Sequence, residues 1–212
     1  MPSDKWEFDS SVGVKRYRNL ETGRFISRSN VLAMRDEYVN KQREWGKDLA
    51  GMVARKEISV QKFEREFRDR IKTTYGAEYM FGRGGKNAMT SQDWGRLGPM
   101  IREQYVFAHG FAADIAAGRL TEAQIAARAD LYFSSATYAF ERGHAAMFGE
   151  LDLPAYPGDG GTACKMNCRC HWDIKETTTV WRATWRLTPG ENCEGCRSRA
   201  GSWNPYEQEK AA

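Results

Sequence analysis

All five cysteines of the chain lie in its last quarter, where their spacing is typical of a metal site. They form a Cys-x3-Cys-x-Cys-His cluster and a Cys-x2-Cys cluster, made of Cys164, Cys168, Cys170, Cys193 and Cys196. Closely spaced thiolates on two separate turns build a tetrahedral cage for zinc, with Zn–S distances of about 2.3 Å. Four available thiolates indicate a closed, structural site, because a catalytic zinc keeps one position open for water. We therefore expect structural zinc as the cofactor.

The five thiols and His171 compete for four ligand positions. Cys193 and Cys196 form the firmest pair, because Cys-x2-Cys is the usual spacing of a zinc knuckle. Two of the three upstream cysteines would complete the site. His171 is a weaker candidate, with the alternative that it is a strand residue facing solvent. Disulfides formed in an extracellular particle, or free thiols, are the other interpretations of the same five cysteines.

No other group of residues has the pattern of an active site. The loop at 82–87 contains glycines and a lysine but lacks the GxxxxGK[ST] frame of a phosphate-binding loop. His109 and His144 lie in predicted helices, with no catalytic partner near them in sequence. The His-x-Glu and Pro-Cys-x2-Cys pairing of zinc deaminases is absent. The sequence predicts a protein that is not an enzyme and has no small-molecule substrate.

An alternating pattern between the two cysteine clusters predicts a β-hairpin. The alternating apolar residues are Trp172, Ile174, Trp181, Ala183, Trp185 and Leu187. Residues 176–179 would form the turn between the two strands. Because a hairpin brings its two ends together, both cysteine clusters should meet at its base. A small hairpin with exposed tryptophans is only marginally stable by itself, and a bound metal would supply the stability that it lacks.

Upstream of the cysteines, apolar residues follow a helical period over 29–153. Ser59, Thr90 and Thr121 are the predicted N-caps, and the latter two have capping-box spacing. Pro99 should either kink its helix or occupy the first turn of a helix that starts there. The predicted fold class is mainly α, with a helical body of about four helices and a small C-terminal zinc-stapled β-hairpin.

Changes in composition divide the chain into three segments. A Gly- and Pro-rich stretch at 154–161 separates the α-helical body, 29–153, from a cysteine-rich zinc-knuckle hairpin and tail, 154–212. Residues 1–28 lack sustained periodicity and are interpreted as an extended N-terminal arm that docks on a partner, or as a floppy terminus. The residues expected to bind that partner are Arg16, Tyr17, Arg18, Arg24 and Phe25.

The net charge of +4 is unevenly distributed along the chain. Residues 1–100 carry 20 Lys/Arg against 14 Asp/Glu, whereas residues 101–212 carry 12 against 14. The basic first half could contact nucleic acid or an acidic protein surface, or it could consist simply of solvated helices. No stretch has the roughly 18–20 apolar residues of a membrane span, and the first residues lack a signal-peptide core. We therefore expect no membrane partner and synthesis in a cytoplasm.

The Cys168-Arg169-Cys170 turn resembles the Cys-Arg-Cys hallmark that ends the phage head-morphogenesis domain, found in minor head proteins related to the Mu F-like group. The runs 154–160, 164–172, 89–95 and 17–25 also resemble phage and prophage proteins of this kind. The likeness covers most of residues 15–206, and its specific part is the cysteine region. This chain differs from the better-known branch, which has a Cys-x2-Cys pair before a His-Pro-x-Cys-Arg-Cys turn. Here that pair follows the turn, and no His-Pro precedes it.

The resemblance implies a virion protein present in few copies, assembled in the cytoplasm of a host bacterium. Its partners would be the portal, capsid or connector proteins and, as a further partner, packaged DNA. The alternative hypothesis is a zinc-knuckle nucleic-acid-binding protein that acts in packaging or regulation, with the hairpin tryptophans stacking on bases. A third hypothesis, a zinc enzyme, requires an exchangeable water on the metal and an acidic residue within reach.

Overall fold

A computed structural model of the chain describes residues 4–9, 16–149 and 151–210. In chain order, its elements are β1 (Trp6–Asp9), β2 (Arg16–Asn19), β3 (Phe25–Ile26), α1 (Arg28–Ala54), α2 (Val60–Arg83), α3 (Ser91–Ala116), α4 (Glu122–Ser134), α5 (Thr137–Ala146), β4 (His171–Glu176), β5 (Val180–Arg186), α6 (Glu194–Ser202) and β6 (Tyr206–Glu209). Within the described ranges, no helix combines the length and the apolar character needed to cross a membrane. The fold is mainly helical with two small antiparallel sheets, which confirms the predicted class.

The helical body forms around a cluster of aromatic rings contributed by α2, α3 and α4. Phe67 lies within 5.1–5.9 Å of the rings of Phe63, Phe111, Tyr132 and Phe133, and all five side chains are buried. Burial of each such ring removes roughly 150–250 Å² from water, so this cluster contributes strongly to the stability of the body.

The predicted helix starts are confirmed. The Ser59 side chain accepts a hydrogen bond from the backbone N–H of Lys62. Thr90 and Thr121 both form complete capping boxes, with Asp93 and Gln124 respectively. Each box satisfies donors that a helix start leaves without an intrahelical partner.

Two details of the helical body differ from the prediction. The last predicted helix is divided into α4 and α5, so the body has five helices instead of about four. The division follows Ser135, whose hydroxyl donates to the Tyr132 carbonyl at 2.8 Å and lies 2.6 Å from the Tyr75 hydroxyl. A serine that binds nearby backbone competes with the regular helix. Pro99 lies inside α3, so it does not begin a separate helix.

The described residues of the N-terminal segment form a small sheet that packs on the helices, where the prediction was an extended arm that docks on a partner. β2 pairs with both β1 and β3 in antiparallel register. The backbone N–H of Phe8 donates to the Gly84 carbonyl at 2.7 Å, so β1 is attached to the end of α2. Tyr17 is buried with Val31 of α1. Residues 1–3 and 10–15 of the predicted arm lie outside the described residues.

The C-terminal segment forms an antiparallel sheet with the strand order β4-β5-β6. β4 and β5 are the two predicted strands, and Trp172 faces Trp185 across them. The third strand, β6, and the helix α6 were not predicted. Trp172, Trp181 and Trp185 are buried, at 0%, 6% and 2% exposure, because α5 and α6 cover this face of the sheet. The expectation that the hairpin tryptophans are exposed is therefore wrong.

Candidate metal centre

The two cysteine clusters meet at the base of the C-terminal sheet, as the predicted hairpin requires. A single 3-10 turn, Lys165–Asn167, carries the chain from Cys164 to Cys168. Cys170 directly precedes β4. Cys193 is the N-cap of α6, and its Sγ accepts a hydrogen bond from the backbone N–H of Cys196 at 3.4 Å. This short helical turn directs both thiols of the Cys-x2-Cys pair to the same place.

The five thiols form two groups of three that share Cys196. The first group is Cys164, Cys193 and Cys196, and the second is Cys168, Cys170 and Cys196; within each group the Sγ atoms lie within 4.8 Å of one another. The Cys164 Sγ lies 3.6 Å from the Sγ atoms of both Cys193 and Cys196. The Cys168 Sγ lies 3.5 Å from that of Cys196. Cys196, buried at 1% exposure, is the centre of the cluster.

These distances fit a metal ion held by thiolates. In a tetrahedral zinc site the sulfur atoms lie about 3.8 Å apart, a separation that follows from the Zn–S bond length. A disulfide needs sulfur atoms about 2.0 Å apart, and all five cysteines are free thiols here. The cysteine cluster could therefore hold a metal ion.

The thiols influence one another's protonation. The hydrogen bond from the Cys196 backbone lowers the pKa of Cys193 to about 6. Burial raises the pKa of the Cys196 thiol, and contact with the neighbouring thiols raises it further. The contact between Cys168 and Cys170 raises the pKa of the first and lowers that of the second. Metal binding requires the thiolate form and releases the protons of the thiols, so the affinity of such a site depends on pH.

His171 lies beside the cluster without joining either group of thiols. It is the first residue of β4 and is exposed, in agreement with the alternative of a strand residue facing solvent. Protein atoms around its ring, which remains exposed, and the nearby Arg28 guanidinium lower its pKa. Cys170 has a partner besides thiols, because its Sγ lies 3.8 Å from the Asn192 Oδ1.

The five predicted partner-binding residues differ in their exposure to solvent. Arg18 and Phe25 are exposed on strands of the N-terminal sheet, and Arg24 is exposed in the turn between β2 and β3. The Arg16 guanidinium lies 3.4 Å from the centre of the Phe25 ring. Tyr17 is 5% exposed and belongs to the core, so its prediction as a partner-binding residue needs correction.

Sequence reasoning missed Glu141, a buried carboxyl beside the cysteine cluster. Its carboxylate accepts a hydrogen bond from the backbone N–H of Trp172 at 3.2 Å. Glu141 lines a cleft of about 460 Å³ together with Cys168, Cys170 and His171. Burial raises its pKa to about 7. The sequence did offer one sign of this residue, because Glu141 directly follows Phe140, the last residue of the predicted apolar helix face.

Comparison with models of protein families, with curated proteins and with solved structures finds no match to this chain.

Proposed function

We propose that this chain is a non-enzymatic structural or assembly protein of a tailed bacteriophage particle, in the class of minor head or head-morphogenesis proteins. The observation that carries the proposal is the Cys168-Arg169-Cys170 turn. This turn resembles the hallmark of the Mu F-like group, and both of its thiols belong to the cysteine cluster at the base of the C-terminal sheet. A residue pattern and a three-dimensional cluster thus involve the same residues.

Zinc is the ion that we propose for the cluster, in a structural role. Cys164, Cys168, Cys193 and Cys196 are the proposed ligands. Cys164, Cys193 and Cys196 form one group of three thiols, and Cys168, whose Sγ lies 3.5 Å from that of Cys196, would close on the ion as the fourth ligand. Cys170 is left out because its thiol faces the Asn192 side-chain oxygen. Thiolate ligands suit zinc, and a structural zinc contributes directly to folding stability. The ion would join the turn before β4 to the turn that begins α6.

The proposed partners are other virion proteins at the portal, the connector or the inner capsid. A site closed by four thiolates leaves the metal no open position for chemistry, which supports an interaction role over an enzymatic one. The alternative of nucleic-acid binding is weakened, because the rings of Trp172, Trp181 and Trp185 are buried and cannot stack on bases.

The test is the protein content of particles purified from a bacterium that produces the phage encoding this chain. Mass spectrometry with labelled standard peptides should detect the chain in proheads or in mature particles, at a few copies each. Its absence from both would contradict the proposal. Elemental analysis of the isolated chain, purified under reducing conditions, tests the metal separately and should give about one zinc per chain.

A further inference from the structure

Two adjoining clefts form one groove between the helical body and the C-terminal sheet. The first, of about 460 Å³, is lined by α1, α5 and the turn that carries Cys168 and Cys170. The second, of about 480 Å³, is lined by the start of α1 together with β4 and β5. Both clefts share Arg28, Leu32 and His171. We call this combined feature the cationic groove.

Basic side chains outnumber acidic ones along the walls of the cationic groove. The basic residues are Arg28, Arg35, Arg43, Arg169 and Arg186. The acidic residues are Asp36, Glu141 and Asp173. Convergent charge of one sign in a concave site raises the local concentration of ligands of the opposite charge.

Two of the arginines form no ion pair with a carboxylate of the residues that the structure describes. Arg35 pairs with Glu78, and Arg43 pairs with Asp130. Within residues 4–9, 16–149 and 151–210, neither Arg28 nor Arg169 forms an ion pair. The Arg28 guanidinium lies 3.1 Å from the His144 Nε2. Arg169 is exposed and projects from the Cys-Arg-Cys turn. The positive charge of Arg169 is therefore available to a ligand, and that of Arg28 is offset in part by the nearby buried carboxyl of Glu141.

The lining of the groove favours a peptide over a nucleic acid. Binding of single-stranded nucleic acid relies on aromatic rings that stack with bases. Phe140 is 6% exposed and is covered by the Arg35 guanidinium at 4.1 Å, and Trp172 is completely buried. The apolar side chains of Leu32, Val39 and Leu187 line the groove between the charges. Guanidinium groups beside apolar side chains suit a segment in which carboxylates alternate with apolar residues.

We infer that the cationic groove binds an extended acidic peptide segment of a partner protein, with Arg28 and Arg169 pairing with its carboxylates. This inference deepens the proposed assembly role, on which it rests, since it names the chemistry of the segment that is bound.

The experiment is a fluorescence-anisotropy titration of the full chain with two labelled probes of equal net charge. One probe is a short peptide of alternating glutamate and leucine, and the other is an oligothymidylate. The peptide should bind more tightly. Arg169→Glu should weaken peptide binding by about tenfold or more, and Arg28→Gln should also weaken it.

The matched control is Arg197→Glu. Arg197 is also exposed, follows Cys196 of the same cluster, and lies outside both clefts. Its replacement should leave peptide affinity within about twofold of the original value. Metal content and circular dichroism of each variant verify that the fold persists.

Three results would each overturn the inference: no binding of the peptide to the unaltered chain, equal peptide affinity in Arg169→Glu and Arg197→Glu, or tighter binding of oligothymidylate. None of these results would contradict the proposed function, which is tested separately by detecting the chain in purified particles without either probe.

Discussion

The backbone N–H of Trp172 donates a hydrogen bond of 3.2 Å to the carboxylate of Glu141, and this contact joins α5 to β4. Glu141 is 3% exposed. Burial is the main reason that its pKa rises to about 7, opposed by the Trp172 hydrogen bond and by the charges of Arg35 and Arg28. The helical body and the cysteine-bearing sheet therefore meet at a group that titrates near neutral pH.

Glu141→Gln should stabilise the protein at high pH. The folded-state pKa of Glu141 lies above its usual value of 4.5, so the folded state binds the proton more tightly. Its contribution to stability is complete below pH 4.5 and is lost as pH rises through about 7. Glutamine keeps the acceptor for Trp172 and removes the charge. We expect the free energy of unfolding to rise by about 1–3 kcal/mol near pH 8 and to change little near pH 5.

Urea unfolding at both pH values measures the difference between this variant and the unaltered protein. The control is Glu57→Gln, which changes an exposed carboxylate paired with Arg55. The pKa of Glu57 is lowered, so its substitution should have no pH-dependent effect over this range. If Glu141→Gln lost the same stability at both pH values, the raised pKa would not be the cause.

Replacing one member of the Arg35–Glu78 ion pair should destabilise the protein more than replacing both. Glu78 is completely buried, and the Arg35 Nε lies 3.1 and 2.9 Å from its two carboxylate oxygens. Glu78→Gln removes the main countercharge of the largely buried Arg35 guanidinium and leaves it the exposed Asp36 carboxylate at 3.5 Å, which should cost about 3–5 kcal/mol of unfolding free energy. The double variant Arg35→Met with Glu78→Met should cost much less. A double-mutant cycle by urea denaturation measures both; a double variant that lost the sum of the single losses would contradict this account.

Features that depend on neighbours in sequence were predicted correctly. The capping boxes of Thr90 and Thr121 involve residues three positions apart, so their residue types alone reveal them. The β4–β5 hairpin is similarly local, because its strands alternate on either side of a short turn. Its ends bring the two cysteine clusters together, which is why the candidate metal centre could be located from the sequence.

Features that depend on distant contacts were missed. β3 has two residues and β6 has four, too few to show a period, and each exists through pairing with another strand. The break between α4 and α5 involves Ser135 and Tyr75, which lie far apart in sequence. The burial of Glu141 likewise depends on β4, which sequence analysis places in a separate segment.

Helices α2 and α5 cross so closely that a side chain at Gly82 or Gly143 should destabilise the protein. A Cβ at Gly82 would overlap the Phe140 carbonyl oxygen, and a Cβ at Gly143 would overlap the Tyr79 carbonyl oxygen. Either substitution by alanine should lower the free energy of unfolding by about 1–3 kcal/mol, because backbone must move to make room. Gly95→Ala in α3 is the matched control, since nothing lies within 4 Å of its Cβ position.

The control should stabilise the protein by up to about 1 kcal/mol, because alanine favours helix more than glycine does. Thermal unfolding of the three variants tests the contrast. Equal effects at Gly82, Gly143 and Gly95 would mean that helix propensity, and not the close approach of α2 and α5, decides the outcome.

Cys196→Ser should abolish metal binding, whereas Cys170→Ser should not. The Cys196 Sγ belongs to both groups of thiols, so its loss leaves neither group complete. Cys170 is the cysteine that the proposed ligand set leaves out, and its thiol has the Asn192 oxygen as a partner. We expect zinc content to fall from about one per chain to near zero in Cys196→Ser and in the double variant Cys193→Ser with Cys196→Ser.

Elemental analysis and thiol counting under reducing conditions measure the result, while far-UV circular dichroism should show that α1 to α5 persist. The C-terminal sheet should loosen, which near-UV circular dichroism of the buried Trp172 and Trp185 pair would detect, since their rings lie 5.2 Å apart. Loss of zinc in Cys170→Ser would shift the ligand set toward the group of Cys168, Cys170 and Cys196. Stoichiometric zinc in Cys196→Ser would contradict a site centred on this residue, because no other thiol links the two groups.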